Sequence, residues 1–456
     1  MERWWLLLVH AARDVLVVCG SVFRGICSLR NLSNVEQLLY FSDTKGEKSY
    51  VASAEESVSV VGVMSYFTTR EKANFTVFLV GKGYGSHDST KLISTRILQD
   101  YGDWVVFDSI IEASAVQANP FVLRYLHDFR FAFKDGGFVY FLFSRTLGVQ
   151  DTKNFTFVSR MCEDDQGYYS YTELQLNCSA ANKYNKAQPE NTFYAAYVAT
   201  PGEVLAQSMT SSGQYGRVSA SDKVLFVTFT SDEDPSTSAM CMFPLRSINS
   251  RLVEIIGACY SHHGIISEKA AVYSPYSSKE ELCSEKPRDM AHRYRCGAEF
   301  LPSPLASKAE FALTVEPSLV RKAHMTAVAV AEVEGHAVAF LGTATGEVTQ
   351  LPVAGKSVFM LRFCSFAVKC LNAAVNRRIS FIKDQLLDLI LNYWLFTRSF
   401  PISLCSTINY LTFFPRVYSV MCITLHVQLH MITDMRFMLE VFIYLSFVCF
   451  YTQKEP

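Results

Sequence analysis

Short apolar runs, each closed by Gly, Asp, Ser or Asn, dominate the first three quarters of the chain. Leu16-Val17-Val18 ends at Cys19-Gly20, and Phe75 to Val80 closes at Gly81. Val58 to Val63, Lys91 to Leu98, Phe138 to Phe143, Val224 to Thr230 and Ala337 to Leu341 repeat the theme. β-Branched and aromatic residues in runs of this length suit buried, pleated strands, and the punctuation suits turns. Helical periodicity appears mainly once. Ile248, Leu252, Ile255 and Ile256 share one face of a short helix predicted to stop at Gly257. Strands do not alternate with long helices, which disfavours a doubly wound α/β fold. The glycine-closed runs recur at first about every 60 residues and then at wider gaps, as in propeller blades carrying insertions.

The N-terminal run Trp4 to Val9 has only six residues, Glu2 offsets Arg3, and Arg13-Asp14 follows at once. It reads as a weak secretory signal at best. Cys19 and Cys27 flank Arg24-Gly25, which suits a tight turn. In a hairpin the two cysteines face each other at a distance a disulfide spans.

Composition adds a seam. The 456 residues are 50% apolar, room for a sizeable core, and the net charge of −1 gives no pointer to nucleic acid or to an acidic ligand. All 22 glycines lie at or before Gly355, and the last 101 residues hold none. That tail carries 10 Lys/Arg against 5 Asp/Glu, while the body carries 32 against 38. Residues 1–355 and 356–456 are therefore expected to be separate regions.

Six of the 13 cysteines, Cys162, Cys178, Cys241, Cys259, Cys283 and Cys296, lie in one β-rich interval, and none forms a C-x-x-C pair. This disfavours a zinc knuckle or a thioredoxin-type site and reads as a disulfide framework of an oxidising compartment. Six buried free thiols are the alternative. Asn31-Leu-Ser, Asn74-Phe-Thr and Asn154-Phe-Thr are N-glycosylation sequons. Asn177-Cys-Ser also fits, with transfer hindered if Cys178 is bridged.

Four stretches offer chemistry in outline only. Gly81-Lys82-Gly83-Tyr84-Gly85 lacks the third-glycine spacing and the following helix of a phosphate loop. Ser86-His87-Asp88 holds the residue types of a hydrolase triad, but adjacent residues point apart. His262-His263 lacks further metal ligands nearby in sequence. Asp232-Glu233-Asp234 before Pro235 reads as a solvated hairpin loop. The chain is expected not to be an enzyme and to carry neither cofactor nor metal.

Several words of the sequence, in one order, carry a resemblance. Cys19-Gly20-Ser21-x-Phe23-x-Gly25-x-Cys27 resembles a signature of the plexin sema domain. Gly46-Glu47-Lys48-Ser49-Tyr50-Val51-Ala52-Ser53, Leu79-Val80-Gly81-Lys82-Gly83 and Ile93-Ser94-Thr95-Arg96 continue it. So do Gly136-Gly137-Phe138-Val139-Tyr140-Phe141 and Arg160-Met161-Cys162-x-Asp164-Asp165 with Tyr169-Ser170-Tyr171. Ala239-Met240-Cys241-Met242-Phe243-Pro244-Leu245, Cys296-Gly297 and Val338-Ala339-Phe340-Leu341-Gly342-Thr343 complete the set. The resemblance runs from about residue 6 to 355 and is closest to the B-class plexins.

It implies an all-β fold, a sema-type seven-bladed β-propeller of which about five blades are present. It implies disulfides Cys19–Cys27, Cys162–Cys296, Cys178–Cys241 and Cys259–Cys283, and a semaphorin, class 4 by the B-class wording, as partner. It places the region on the outer side of the plasma membrane and ligand recognition on the middle blades, roughly Phe138 to Pro244. The resemblance fades after Gly355. The signal peptide, the ring-closing strand, the last blade and the cytoplasmic GTPase-activating region of the family are expected to be missing. An unclosed arc is expected to bind class 4 semaphorins weakly and to bind clearly once the missing blades are restored. The competing function is a secreted or membrane-retained structural glycoprotein, or decoy, without semaphorin binding.

The tail from Lys356 has three readings: a membrane anchor, a helical partner-binding module, or translation into an intron. Its longest uncharged runs, Ser399 to Pro415 and Val417 to Thr433, are 17 residues each, short of a single span. Gly355-Lys356-Ser357 is what a G-GTAAGT splice donor encodes, which favours the third.

Overall fold

The computed structural model describes residues 4–20, 25–41, 51–53, 55, 57–68, 74–83, 91–100, 105–109, 116, 127–147, 154–165, 167–178, 195–231, 234, 236–276, 283, 290–353 and 361–363. Five antiparallel meanders follow one another along it. The first joins β1 (Trp4–His10), β2 (Val15–Gly20), β3 (Cys27–Asn31) and β4 (Leu38–Phe41), in that order. The second joins β5 (Val60–Thr68), β6 (Asn74–Lys82) and β7 (Ile93–Ile97). The third holds β8 (Asp128–Asp135), β9 (Phe138–Thr146), β10 (Asn154–Cys162) and β11 (Thr172–Cys178).

The fourth starts with β12 (Ala196–Ala199), helix α1 (Gly202–Ser211), β13 (Val224–Thr230) and β14 (Ser238–Pro244). A long excursion then leaves the sheet through α2 (Leu245–Ser261), the small hairpin β15 (Ile265–Ile266) and β16 (Lys269–Ala270), β17 (Val272–Tyr273) and α3 (Met290–Arg293). It returns as β18 (Leu305–Ser307) and β19 (Leu313–Val315), both parallel to β11, and as β20 (Leu319–Arg321), which completes the fourth sheet on β14. The fifth is β21 (Met325–Val333), β22 (His336–Thr343), β23 (Val348–Pro352) and β24 (Leu361–Phe363). The opening run Trp4 to Val9, read as a weak signal at best, lies in β1.

The apolar runs are continuous because each middle sheet is covered on both faces. Successive side chains of a strand point to opposite faces. In β6, Phe78 and Val80 enter the core shared with the first sheet, beside Leu6, Val17 and Leu29. Val77 and Leu79 of the same strand enter the next core, against Val139, Phe141 and Phe143 of β9. Phe138, Tyr140 and Leu142 of β9 face the far side, with Leu174, Phe226 and Leu341. The sheets therefore stack face to face in chain order, as the blades of a propeller do.

Glycine sets two of the joints. Gly136 and Gly137, both at positive φ, form the two-residue turn that pairs Asp135 with Phe138. Gly25, at φ 91°, lies against the backbone of Ala52, where an added Cβ would meet the Ala52 carbonyl oxygen at 2.1 Å.

The helix is longer than its apolar spacing predicts. Ile248, Leu252, Ile255 and Ile256 are buried as expected, but α2 passes through Gly257 and buries Ala258, Cys259 and Tyr260 as well. It stops where His263 and Gly264 adopt positive φ and the His262 and Gly264 N–H groups both donate to the Ala258 carbonyl. Gly257 thus sits in a helix interior, with nothing within 4 Å of an added Cβ. Gly257→Ala is expected to stabilise the fold by up to about 1 kcal/mol, read as a raised thermal midpoint. A lowered midpoint would show that the position is crowded. Helix α1 was not legible, since only Gly202, Leu205, Ala206 and Met209 of its ten residues are buried.

Strand β24 comes from beyond Gly355 and pairs Val348 with Phe363 and Gln350 with Leu361. A chain ending at residue 355 loses that cover and leaves β23 as a bare edge. It is expected to give less soluble, monomeric protein by size-exclusion chromatography than a chain ending at residue 375, which keeps β24 away from its terminus. Equal yields would mean that β24 contributes nothing to the fifth sheet.

Candidate functional site

Most of the sequence words that set this chain apart are joints between sheets. In Ile93-Ser94-Thr95-Arg96, the Thr95 hydroxyl meets the Tyr168 hydroxyl at 2.8 Å, tying the second sheet to the third. Burial pushes the Tyr168 phenol up to about 12. Arg96 donates to the Ser94 hydroxyl and the Phe107 carbonyl, and burial pulls its guanidinium down to about 10. Asp165 accepts from the N–H groups of Gly167 and Ser170 and from the Ser170 hydroxyl, while that hydroxyl accepts from the Cys162 N–H. Gly297, at φ 70°, packs on the backbone of Tyr169, where a Cβ would intrude at 2.4 Å. Gly81 holds a similar place against Phe129 and Phe141.

Four disulfides among the described residues complete this framework, and they are the pairs the resemblance implies. Cys19–Cys27 bridges register partners on β2 and β3, with Cα atoms 4.0 Å apart. Cys162–Cys296 ties the end of β10 to the segment after α3. Cys178–Cys241 links the third sheet to the fourth, and Cys259–Cys283 fastens α2 to a later point of the excursion. The sulfurs of Cys162 and Cys296 lie near the Asp164 carboxylate, but as a cystine they are not metal ligands.

One buried polar cluster gave no sequence signal. Arg145 on β9 and Glu173 on β11 are both fully buried and paired through Nε at 2.8 Å and Nη2 at 2.6 Å. Arg145 also donates to the Thr146 carbonyl and the Tyr273 hydroxyl, and stacks 4.0 Å over the Phe157 ring. The other Glu173 oxygen accepts from the hydroxyls of Tyr171 and Tyr276, and the Tyr276 hydroxyl meets His127 Nε2 at 2.9 Å. Burial alone would pull the Arg145 guanidinium down, but Glu173 reverses this and holds it above its ordinary value. Burial, then the charge of Glu173, pushes the Tyr171 and Tyr276 phenols well up. With Arg145 and Glu173 closed to solvent and matched in charge, the cluster fastens the excursion to the third sheet through Tyr273 and Tyr276.

Among the described residues, the motifs with chemistry in outline do not converge. Gly81 and Lys82 finish a strand, and Ser86-His87-Asp88 lies outside the described residues. His262 and His263 follow the end of α2 and join no cluster of metal-ligating groups among the described residues. Asp234 accepts from the Ser236 and Thr237 hydroxyls within the β13–β14 turn, while Asp232 and Glu233 lie outside the described residues.

The three sequons differ. Asn74 opens β6 and is exposed, its Oδ1 accepting from the Thr68 hydroxyl. Asn31 ends β3 half-buried, donating to Asp14 and accepting from the Asn34 N–H. Asn154 opens β10 at 6% exposure, and its Oδ1 is buried without a hydrogen bond.

Residues 195–375 match the Sema domain family, a span that runs past Gly355. Plexin-B2 of Mus musculus is 31% identical over 354 residues, which cover 76% of this chain and 18% of that protein. Plexin-B1 of Homo sapiens is 34% identical over 361 residues, covering 75% of this chain and 15% of the relative. The chain thus spans less than a fifth of the length of these relatives. In fold it is similar to the solved full extracellular region of Plexin A4, with a TM-score of 0.61 and 20% identity over 78% of this chain and 39% of that one.

Proposed function

This chain is a plexin homologue with a sema domain, and from that premise we propose that it binds semaphorins, class 4 by preference, on the extracellular side of the plasma membrane. The role is recognition without catalysis. The observation that supports it most is the retention of the plexin words at the joints between sheets. Ile93-Ser94-Thr95-Arg96, Cys162 to Tyr171 and Cys296-Gly297 all make inter-segment contacts, so the scaffold that presents the outer loops is kept. A rigid scaffold matters because each loop ordered on binding adds a cost. By the family resemblance, recognition is proposed for the stretch from Phe138 to Pro244, in the third and fourth sheets.

The test is surface-immobilised semaphorins of several classes, titrated with secreted chain whose four disulfides have been verified by non-reducing peptide mapping. Saturable binding, weak and strongest for class 4, is the expected result. Silence toward every semaphorin from correctly bridged protein would overturn the reading and favour a structural glycoprotein.

The oxidising route implied by the cystines also implies sugar. Glycan addition belongs at Asn74, whose side chain is exposed. Asn31 is a poorer acceptor because its amide is already bonded, and Asn154 is covered by the sheet. Secreted protein is expected to lose mass on N-glycosidase treatment, and Asn74→Gln to remove most of that change. A glycan mapped to Asn154 in folded protein would contradict the burial of β10 at its first residue.

A further inference from the structure

Two arginines share one aromatic ring near the Cys162–Cys296 bridge. The Arg160 guanidinium lies 4.3 Å from the centre of the Phe138 ring, and that of Arg295 lies 4.8 Å from the same centre. Arg160 is 4% exposed, whereas Arg295 is open to solvent. Their closeness is built by the cystine. Arg160 stands two residues before Cys162 and Arg295 one residue before Cys296, so two segments 134 residues apart deliver like charges to one place.

No carboxylate among the described residues pairs with either guanidinium. The hydrogen bond Arg160 does make goes from Nη1 to the Asn249 Oδ1 at 2.9 Å, and that oxygen also accepts from the Tyr140 hydroxyl at 2.9 Å. A guanidinium has five N–H donors. Its face on Phe138 satisfies none of them. Burial first, then the Arg295 charge, lowers the Arg160 guanidinium to about 10, against the pull of Tyr140. Arg145, also buried, shows the contrasting case, since Glu173 neutralises it inside the fold.

We propose that the Arg160–Arg295 pair is a docking site for a carboxylate, the side chain of a Glu or Asp on a partner protein. A carboxylate matches the planar fork of a guanidinium, and placed between two of them it cancels their repulsion. The site is a point and not a track. Lys134 is already paired with Glu163, and the exposed Asp164 carboxylate stands beside the cystine. A sulfated polysaccharide needs a row of free cations and would meet those acids, so a single acidic side chain fits better.

The probe is N-acetyl-glutamate methylamide, with N-acetyl-glutamine methylamide as the neutral control at matched ionic strength. Titrated into the secreted full chain, the glutamate probe is expected to raise the thermal midpoint saturably, and the glutamine probe to leave it unchanged. Arg295→Ala should weaken the apparent affinity about 10-fold or more, the scale of a lost charge-assisted hydrogen bond. Arg295→Glu supplies the carboxylate from within. It should raise the midpoint without any probe and abolish the response. Because Arg295 is exposed, these variants keep the core intact. Equal responses to both probes, or an undiminished response in Arg295→Glu, would overturn the proposal. So would a heparin-derived decasaccharide that stabilises the chain where the glutamate probe does not.

Discussion

Glu173→Leu is expected to destabilise the chain by about 3–5 kcal/mol, because it leaves the Arg145 charge buried without its partner. Arg145→Met should cost a similar amount by stranding the carboxylate between the Tyr171 and Tyr276 hydroxyls. Both side chains have 0% exposure, so water does not soften either loss. The double variant Arg145→Met/Glu173→Leu removes both charges together and is expected to recover much of the loss. Denaturant unfolding of the secreted, oxidised proteins provides the measurement. Single variants with wild-type midpoints would show that the pair is solvated, contrary to its geometry. Additive losses in the double variant would show that the two charges do not act as a unit. Tyr276→Phe offers a milder comparison, since it removes the hydroxyl that joins Glu173 to His127.

This pair also shows where the sequence stops being readable. The run beginning at Phe138 looked finished at Phe143, because Ser144 and Arg145 are polar by type. The strand continues to Thr146 with every residue buried, since Glu173 and Tyr273 neutralise and solvate the arginine. Those partners are 28 and 128 positions away, and no local pattern announces them. Strand β13, by contrast, is wholly apolar apart from its threonines and has the bounds its composition predicts. The Cys19–Cys27 contact was visible because a hairpin brings near neighbours together. The other three cystines join residues 134, 63 and 24 apart, and only the family resemblance supplied those pairs. The excursion from Leu245 to Arg321 was legible only as α2, because strands of two or three residues carry too little pattern. It also explains the uneven spacing of the later glycine-closed runs.

Replacing Cys162 and Cys296 together by serine is the second large effect. Their bond closes 134 residues, and constraint of the unfolded chain grows with loop length. A loss of about 2–5 kcal/mol is expected, with reduced secretion. The Cys19/Cys27 pair, closing only eight residues, should lose less when treated alike. Denaturant midpoints and secreted yield of the two double-serine variants would decide. Equal losses would show that the long bridge acts only through local packing at β10 and not through the loop it closes.

The order of the cystines along the chain has a further consequence. Cys178–Cys241 and Cys259–Cys283 both fall inside the interval that Cys162–Cys296 closes, while Cys19–Cys27 stands apart. Hydrolysis of any one peptide bond between Cys162 and Cys296 therefore leaves a single molecule, because the outer bridge spans the break. A protease that nicks the β10–β11, β12–β13 or β13–β14 connection, or the excursion before Cys296, adds a water but frees no fragment. Release requires a reductant as well. Among the cystines of the described residues, none protects a cut before Cys162 or after Cys296 in this way, except Cys19–Cys27 for the residues between them. The interval from Cys162 to Cys296 thus comes apart after one incision only when a thiol also opens the outer cystine.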